Sequence, residues 1–364
     1  MTQQPDGPPG PGGTQVSSQD APAPPAVELA STRRLLAVAL ELVGHSSGEV
    51  RGASFYIGAV VLGMTGPFFL AGWAAAVASQ SWSPADWRAV EPESRAAVTI
   101  ALWLALAGLL VAVVESRNLA VALLGAQMSG RGLTWRQALV RSRRVFWLAL
   151  AAAIVVSILL GIAQTVVGVT LAPVMGLSVE ASIATTLLVA SIGGAPFAYV
   201  LSGVVLGDVG PIEAIRRSWW VFRARKVAAV IVAGFDSLAV LLVLVGLSIG
   251  LEMTTRVIGL LGLGPDSGPL GLAVMTVVVA GAIYSFGTLL LTTLAIAVAP
   301  QVVMFVGLTH ATMGLDHVRS GGRSDPNVPA GPGTSPFRMF TRPMLAAFVL
   351  GAVLLAAAVI ALVR

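Results

Sequence analysis

About seven stretches of the chain are apolar enough, for long enough, to be read as membrane helices. They fall near 55–79, 97–114, 146–172, 183–206, 227–251, 272–298 and 343–363. A hydrocarbon core about 30 Å thick takes about 20 helical residues. The last stretch is the cleanest, because Met344 to Val363 carries no charge and is dense in Leu, Val and Ile. Each such residue favours insertion by about 0.3–0.6 kcal/mol. The second stretch continues as helix toward Gln127 and the sixth past Pro300 toward Thr309. Both are then longer than the bilayer requires, and such excess is taken up by tilt, a kink or an emerging end.

Between the stretches the pattern changes to short amphipathic segments, and one of them occurs twice. Trp135 to Phe146 reads WRQALVRSRRVF, and Pro211 to Phe222 reads PIEAIRRSWWVF. The copies agree at Ala138/Ala214, Arg141/Arg217, Ser142/Ser218, Val145/Val221 and Phe146/Phe222. Each begins as a helix should. Thr134 and Gln137 form a capping-box pair. Gly210 is followed by Pro211 at the first helical position and Glu213 at the third. In the second copy Ile212, Ile215, Trp219 and Phe222 share a face. That predicts a helix in the headgroup plane, apolar side down and arginines toward lipid phosphates. A basic stretch from Arg33 to Arg51 stands in the same place before the first apolar pair, without a matching residue pattern.

The expected fold is therefore all-α, a polytopic bundle of about seven spans. It is built from hairpins, each preceded by a basic interfacial amphipathic helix. Residues 1–28 are a Pro- and Gly-rich tail of the composition that stays disordered. Residues 29–315 form a six-span domain whose internal repeat covers 133–207 and 210–310. Residues 316–342 are a loop, and 343–364 hold the seventh span.

Charge sets the threading. Arg131, Arg136, Arg141, Arg143 and Arg144 lie on the same predicted side as Arg216, Arg217, Arg223, Arg225 and Lys226. Arg33, Arg34, Arg51, Arg319, Arg323, Arg338 and Arg342 join them. The other side holds Arg88, Arg95, Arg256 and Arg364 beside Asp86, Glu91, Glu93, Glu180, Glu252 and Asp266. The positive-inside rule puts the N-terminus in the cytoplasm and the C-terminus outside. Six tryptophans, among them Trp82, Trp87, Trp147 and Trp220, fall at predicted span ends, where such anchors belong.

Composition agrees with a bilayer as solvent. The chain is 56% hydrophobic and 11% charged, with a mean hydropathy of +0.87. Soluble domains carry about 25% charged residues. The net charge of +5 does not point to nucleic acid, because the basic residues flank apolar spans. With no cysteine, disulfides, thiolate metal sites and a cysteine nucleophile are excluded. A single lysine among many Ala, Gly, Val and Arg residues fits a GC-rich bacterial genome. The chain opens without a charged and then apolar leader, so no secretory signal is expected.

The segment Gly210-Pro211-Ile212-Glu213-Ala214-Ile215-Arg216-Arg217-Ser218-Trp219 resembles a motif of six-span bacterial membrane proteins. That group includes the membrane domain attached to some glycerophosphodiester phosphodiesterases. The resemblance covers residues 97 to 310, and the second copy of the motif extends it. It implies a six-span architecture; the seventh span and the proline-rich tail lie outside that pattern. No counterpart of the phosphodiesterase barrel is present, so the resemblance implies no catalytic residue.

Within the spans, Asp236 stands out, ten residues into the fifth. A carboxylate there costs about 2.5–3.5 kcal/mol unless it is protonated, partnered or hydrated. It reads either as a proton or substrate site, or as a structural partner of Ser237 or a neighbouring helix. Glu115 and Arg117, with Asn118 and Gln127 beyond them, either line a polar cavity with Asp236 or mark the end of the second span. The spacing of His310, Asp316 and His317 fits no zinc pattern. No metalloprotease, phosphate-loop or nucleophile-elbow motif occurs. Gly193, Gly194 and Pro196 interrupt the fourth span, as Thr65, Gly66 and Pro67 do the first. Broken helices serve transporters, but small residues also serve packing.

The expectation is a non-enzymatic protein of the bacterial cytoplasmic membrane, without cofactor, in envelope or lipid-related organisation. Its expected partners are anionic lipid headgroups or another protein. Headgroups would be met by Arg136, Arg141, Arg143, Arg144, Arg216, Arg217, Arg223, Arg225 and Lys226. The alternative is a permease for a small or lipid-like molecule.

Overall fold

The computed structural model describes residues 32–78, 92–129, 133–175, 179–207, 209–262, 268–313 and 338–363. The expectations for the tail, for Trp82, Trp87, Arg131, Asp316 and His317, and for the loop before residue 338 lie outside them. The described residues form helices and no strand. In chain order these are α1 (Thr32–His45), α2 (Ser47–Ala78), α3 (Pro92–Met128), α4 (Trp135–Met175), α5 (Val179–Gly194), α6 (Val200–Gly207), α7 (Pro211–Ala224), α8 (Lys226–Leu260), α9 (Gly268–Met313) and α10 (Arg342–Val363). A short 3₁₀ turn, Ala195–Phe197, joins α5 to α6.

Among the described residues six helices are long and apolar enough to cross a membrane: α2, α3, α4, the α5–α6 pair, α8 and α9. The seventh expected span is a helix, α10, that lies along α2. Its described apolar part, Arg342–Ala357, is shorter than the other six. As the sequence predicts, α3 runs on to Met128 and α9 continues through Pro300.

Unlike a soluble protein, the molecule carries many large apolar side chains on its outer surface. Ile154, Ile158 and Ile162 of α4 point outward, while Glu115, Ser116 and Asn118 of α3 are fully buried. Apolar side chains facing out and polar groups facing in is the arrangement that hydrocarbon favours. This is a multi-pass, all-helical membrane protein. Helix α9 forms the axis: 78% of its apolar window is buried, against 17% for α4 and 22% for α8. It crosses α2 closely at Gly58 and Gly287. A side chain on Gly287 would meet the Gly58 Cα at 2.8 Å, so the crossing requires glycine.

The two copies of the repeat fold differently at their ends. The second is a separate helix, α7, which stops at Arg225 (φ −145°, ψ 65°) before α8 begins. The first is not separate, and this corrects the expectation. Residues 135–146 open the continuous 41-residue α4. The sequence explains the difference. After Phe222 come Arg223, Ala224, Arg225 and Lys226, whereas after Phe146 come Trp147, Leu148, Ala149 and Leu150. Apolar helix formers give the chain no reason to turn, while three cations resist entry into hydrocarbon.

In each copy it is small residues that face the protein. Ala214, Ser218 and Val221 are buried, while Ile212 is 86% exposed and Trp219 44%. In the first copy Ala138, Ser142 and Val145 are buried. These are three of the residues that the copies share. Small side chains let the helix approach its neighbour, and the large apolar ones are left for lipid. Helix α1 follows the same spacing with Leu35, Ala39 and Leu42 buried against α9.

Candidate functional site

Asp236 lies on the face of α8 that looks toward α3. Arg117 reaches across and donates from Nη2 to Asp236 Oδ1 at 2.5 Å. Ser237 does not partner Asp236; its hydroxyl donates back to the Ala233 carbonyl of its own helix. The intrahelical reading of Asp236 is thus replaced by an ion pair between two spans. Both side chains are about a quarter exposed, 27% and 22%.

The pair lines a cavity of about 210 Å³. Arg117 and Asn118 enter from α3, Ser157 from α4, Asp236 and Ser237 from α8, and Gln301 from α9. Among the lining residues, Arg117 and Asp236 are the charged ones, so the cavity is neutral in sum. Asn118 is fully buried, and neither its amide nitrogen nor its oxygen has a partner among the described residues. The Arg117 Nε–H is likewise buried and unpaired there. Buried polar groups are normally satisfied, so this amide calls for a partner such as a water or a ligand.

The break in the fourth span forms another wall, through Gly194 and Phe197. Pro196 lacks an N–H and interrupts the helix. Ser218 of α7 repairs the gap: its hydroxyl donates to the Pro196 carbonyl at 2.6 Å and accepts the Tyr199 N–H at 3.1 Å. One turn farther on, Ala214 packs so near Gly203 that a Cβ there would meet it at 3.3 Å. The second copy of the repeat thereby holds the broken span in shape.

Glu115 and Arg117 are two residues apart, about 200° around the helix, and point to opposite sides. Glu115 does not join the cavity. It accepts the Tyr56 hydroxyl at 2.8 Å and lies 3.5 Å from Arg143 Nε. Arg143 also donates to the Tyr56 hydroxyl and to the carbonyls of Arg338 and Met339. Gln127 is exposed and away from the cavity.

The nine cations proposed for headgroups divide. Arg141 is buried and donates from Nε and Nη2 to the Val205 carbonyl on α6, at 3.0 and 2.7 Å. Arg143 serves the Glu115 cluster. Arg217 pairs with Glu213 at 3.1 Å, and so does Arg216 at 2.8 Å, although Arg216 is 79% exposed. Arg136, Arg144, Arg223, Arg225 and Lys226 are exposed. Arg136 lies over Trp135 and Arg223 over Trp219. Outside the spans, the Glu213 carboxyl is affected first by slight burial, which raises its pKa. Hydrogen bonds and charge from Arg216 and Arg217 together outweigh that and hold it below its ordinary range.

Sequence reasoning named Asp236, Arg117 and Asn118 but missed Gln301, Ser157 and Tyr56. Gln301 had a signal, a polar residue just after Pro300 in an apolar run. Among the described residues no cluster of His, Asp or Glu is placed to hold a metal ion. No family model matches the chain, and no curated protein or solved structure matches it.

Proposed function

We propose that this protein binds a small or lipid-like molecule in the cavity beside Arg117 and Asp236, and passes it across or along the membrane without chemistry on it. The observation that carries this is a cavity lined by an ion pair and a broken helix, with the buried, unpartnered Asn118 in its wall. Interrupted spans at mid-membrane are a recurring way to line a substrate path. In this reading α10 is a seventh span and the helices pair as hairpins. The arginine-rich ends face the cytoplasm, with the N-terminus inside and the C-terminus outside the cytoplasmic membrane. The likeness to the six-span phosphodiesterase membrane domains then concerns architecture.

The test is ligand retention. Wild-type protein, Asn118→Leu and Ala153→Phe are purified in parallel, and their solvent extracts are compared by mass spectrometry. Ala153 is exposed yet lines the cavity, so phenylalanine there fills space without disturbing the core. A species enriched at least tenfold in wild type and lost from both variants is expected. Identical extracts at equal yield overturn the proposal.

A second reading, organisation of anionic lipid, is favoured by the exposed Arg144, Arg216, Arg223, Arg225 and Lys226 beside exposed Trp147, Trp219 and Trp220. Neutralising Arg223, Arg225 and Lys226 should then abolish enrichment of phosphatidylglycerol around the purified protein. Unchanged enrichment counts against it.

A further inference from the structure

A second cavity, about 470 Å³, lies farther along α8. Its walls are mainly apolar, with Val61 and Phe69 from α2, Leu109 from α3, Val243 and Leu247 from α8 and Phe286 from α9, and a minority of Thr and Ser hydroxyls such as Thr65. At 3.6 residues per turn, Asp236, Val243, Leu247 and Gly250 fall within about 40° of one line along α8. One face of α8 therefore carries both the ion pair and, farther along, the wall of the second cavity. Asp236 and Leu247 are about 17 Å apart along it.

The chemistry of the first cavity constrains what fits. Its two charges cancel, so an added net charge would have no counter-charge left to pair with. The unmet groups are the Asn118 amide N–H₂, the Asn118 carbonyl and the Arg117 Nε–H. They ask for acceptors and one donor, without charge. A hydroxyl or an amide supplies both. At about 30 Å³ per water, a cavity of 210 Å³ has room for roughly seven water volumes. A glycerol-sized head fits there.

We infer that the two cavities together hold one uncharged, single-chain amphiphile. Its hydroxyl- or amide-bearing head sits against Asn118 and Arg117 and leaves the Arg117–Asp236 pair intact. Its chain lies along α8 against Val243 and Leu247. This rests on the cavity being a ligand site, as proposed above, and adds the class of ligand.

The test uses the full chain in nanodiscs and a monoacylglycerol with a photoreactive group in its acyl chain. After irradiation, the labelled peptides are located by mass spectrometry. Labelling within residues 242–254 is expected. Excess monoacylglycerol should compete, while a fatty acid and lysophosphatidylglycerol should not. Asn118→Leu should lower labelling at least tenfold. Gly246→Leu should do the same from the other cavity, where an added Cβ meets nothing within 4 Å and folding is not at issue. Equal competition by the charged lipids, still lost in Asn118→Leu, overturns the uncharged head and leaves the cavity reading standing. Competition by free glycerol as strong as by monoacylglycerol overturns the single-chain assignment. Labelling spread over lipid-facing residues and indifferent to both variants overturns both.

Discussion

The two copies of the WRQALVRSRRVF and PIEAIRRSWWVF segment share a buried stripe but not a fate. In both, alanine, serine and valine at the same spacing face the protein. In the first the helix runs on into the bundle, and Arg141 is drawn inside to the Val205 carbonyl. In the second the helix stops, and Arg217 folds back onto Glu213. The difference teaches that the motif encodes a packing surface. The residues that follow it decide whether it becomes part of a span.

The largest expected effect falls on the shared stripe. Ala138→Leu and Ala214→Leu should each destabilise the protein by about 1–3 kcal/mol, through overpacking. Thermal unfolding in detergent measures this, and a neutral result at either position would break the equivalence of the two copies.

The serines should separate the copies. Ser218 bridges the broken span with two hydrogen bonds, whereas Ser142 makes one long contact, 3.5 Å, to the Glu115 carbonyl. Interhelical hydrogen bonds in membranes contribute about 0.6 kcal/mol on average and up to about 1.7. Ser218→Ala should approach the upper figure and Ser142→Ala should fall below the lower. The same unfolding assay ranks them.

Continuity should be transferable. Replacing Arg223, Arg225 and Lys226 with Trp, Ala and Leu should join α7 to α8, because it supplies the apolar run found after Phe146. Spin labels at positions 215 and 235 would report the distance of one straight helix. An unchanged distance would show that packing, and not the cations, sets the break.

The smallest effect is on pH. Glu213 in the second copy is replaced by Gln137 in the first. Since the folded pKa of Glu213 lies below its unfolded value, its contribution is complete above the ordinary carboxylate range. It is lost as pH falls through the lowered value. Amide exchange in α7 should therefore quicken in acid, and that of residues 135–146 should not. Glu213→Gln should remove the difference.

Much of this was legible in the sequence. The apolar runs mark the six long helices, and their overlength at Met128 and past Pro300 is visible too. The fourth span breaks where Gly194 and Pro196 stand. The buried face of the repeat was not legible by the rule that serves soluble helices. The apolar stripe of Ile212 and Trp219 reads as facing lipid and is exposed, but it does not tell that Ala214, Ser218 and Val221 make the contact with the protein. Arg117 and Asp236 are each conspicuous, yet 119 residues separate them. Pairing at that range depends on how α3 and α8 rotate, which no local pattern states. The basic stretch before the first apolar pair predicts a helix there, but the buried spacing of α1, shared with the repeat, was hidden because no residue identity marks it.

Arg143 also fixes where the chain returns. Its guanidinium grasps the carbonyls of Arg338 and Met339, and Phe340 then settles against Tyr56 and Phe348. The start of α10 is thereby anchored by contacts of its own. Insertions between residues 314 and 337 should leave the docking of α10 unaltered. That stretch is a natural place for evolution, or an experimenter, to splice in a foreign domain.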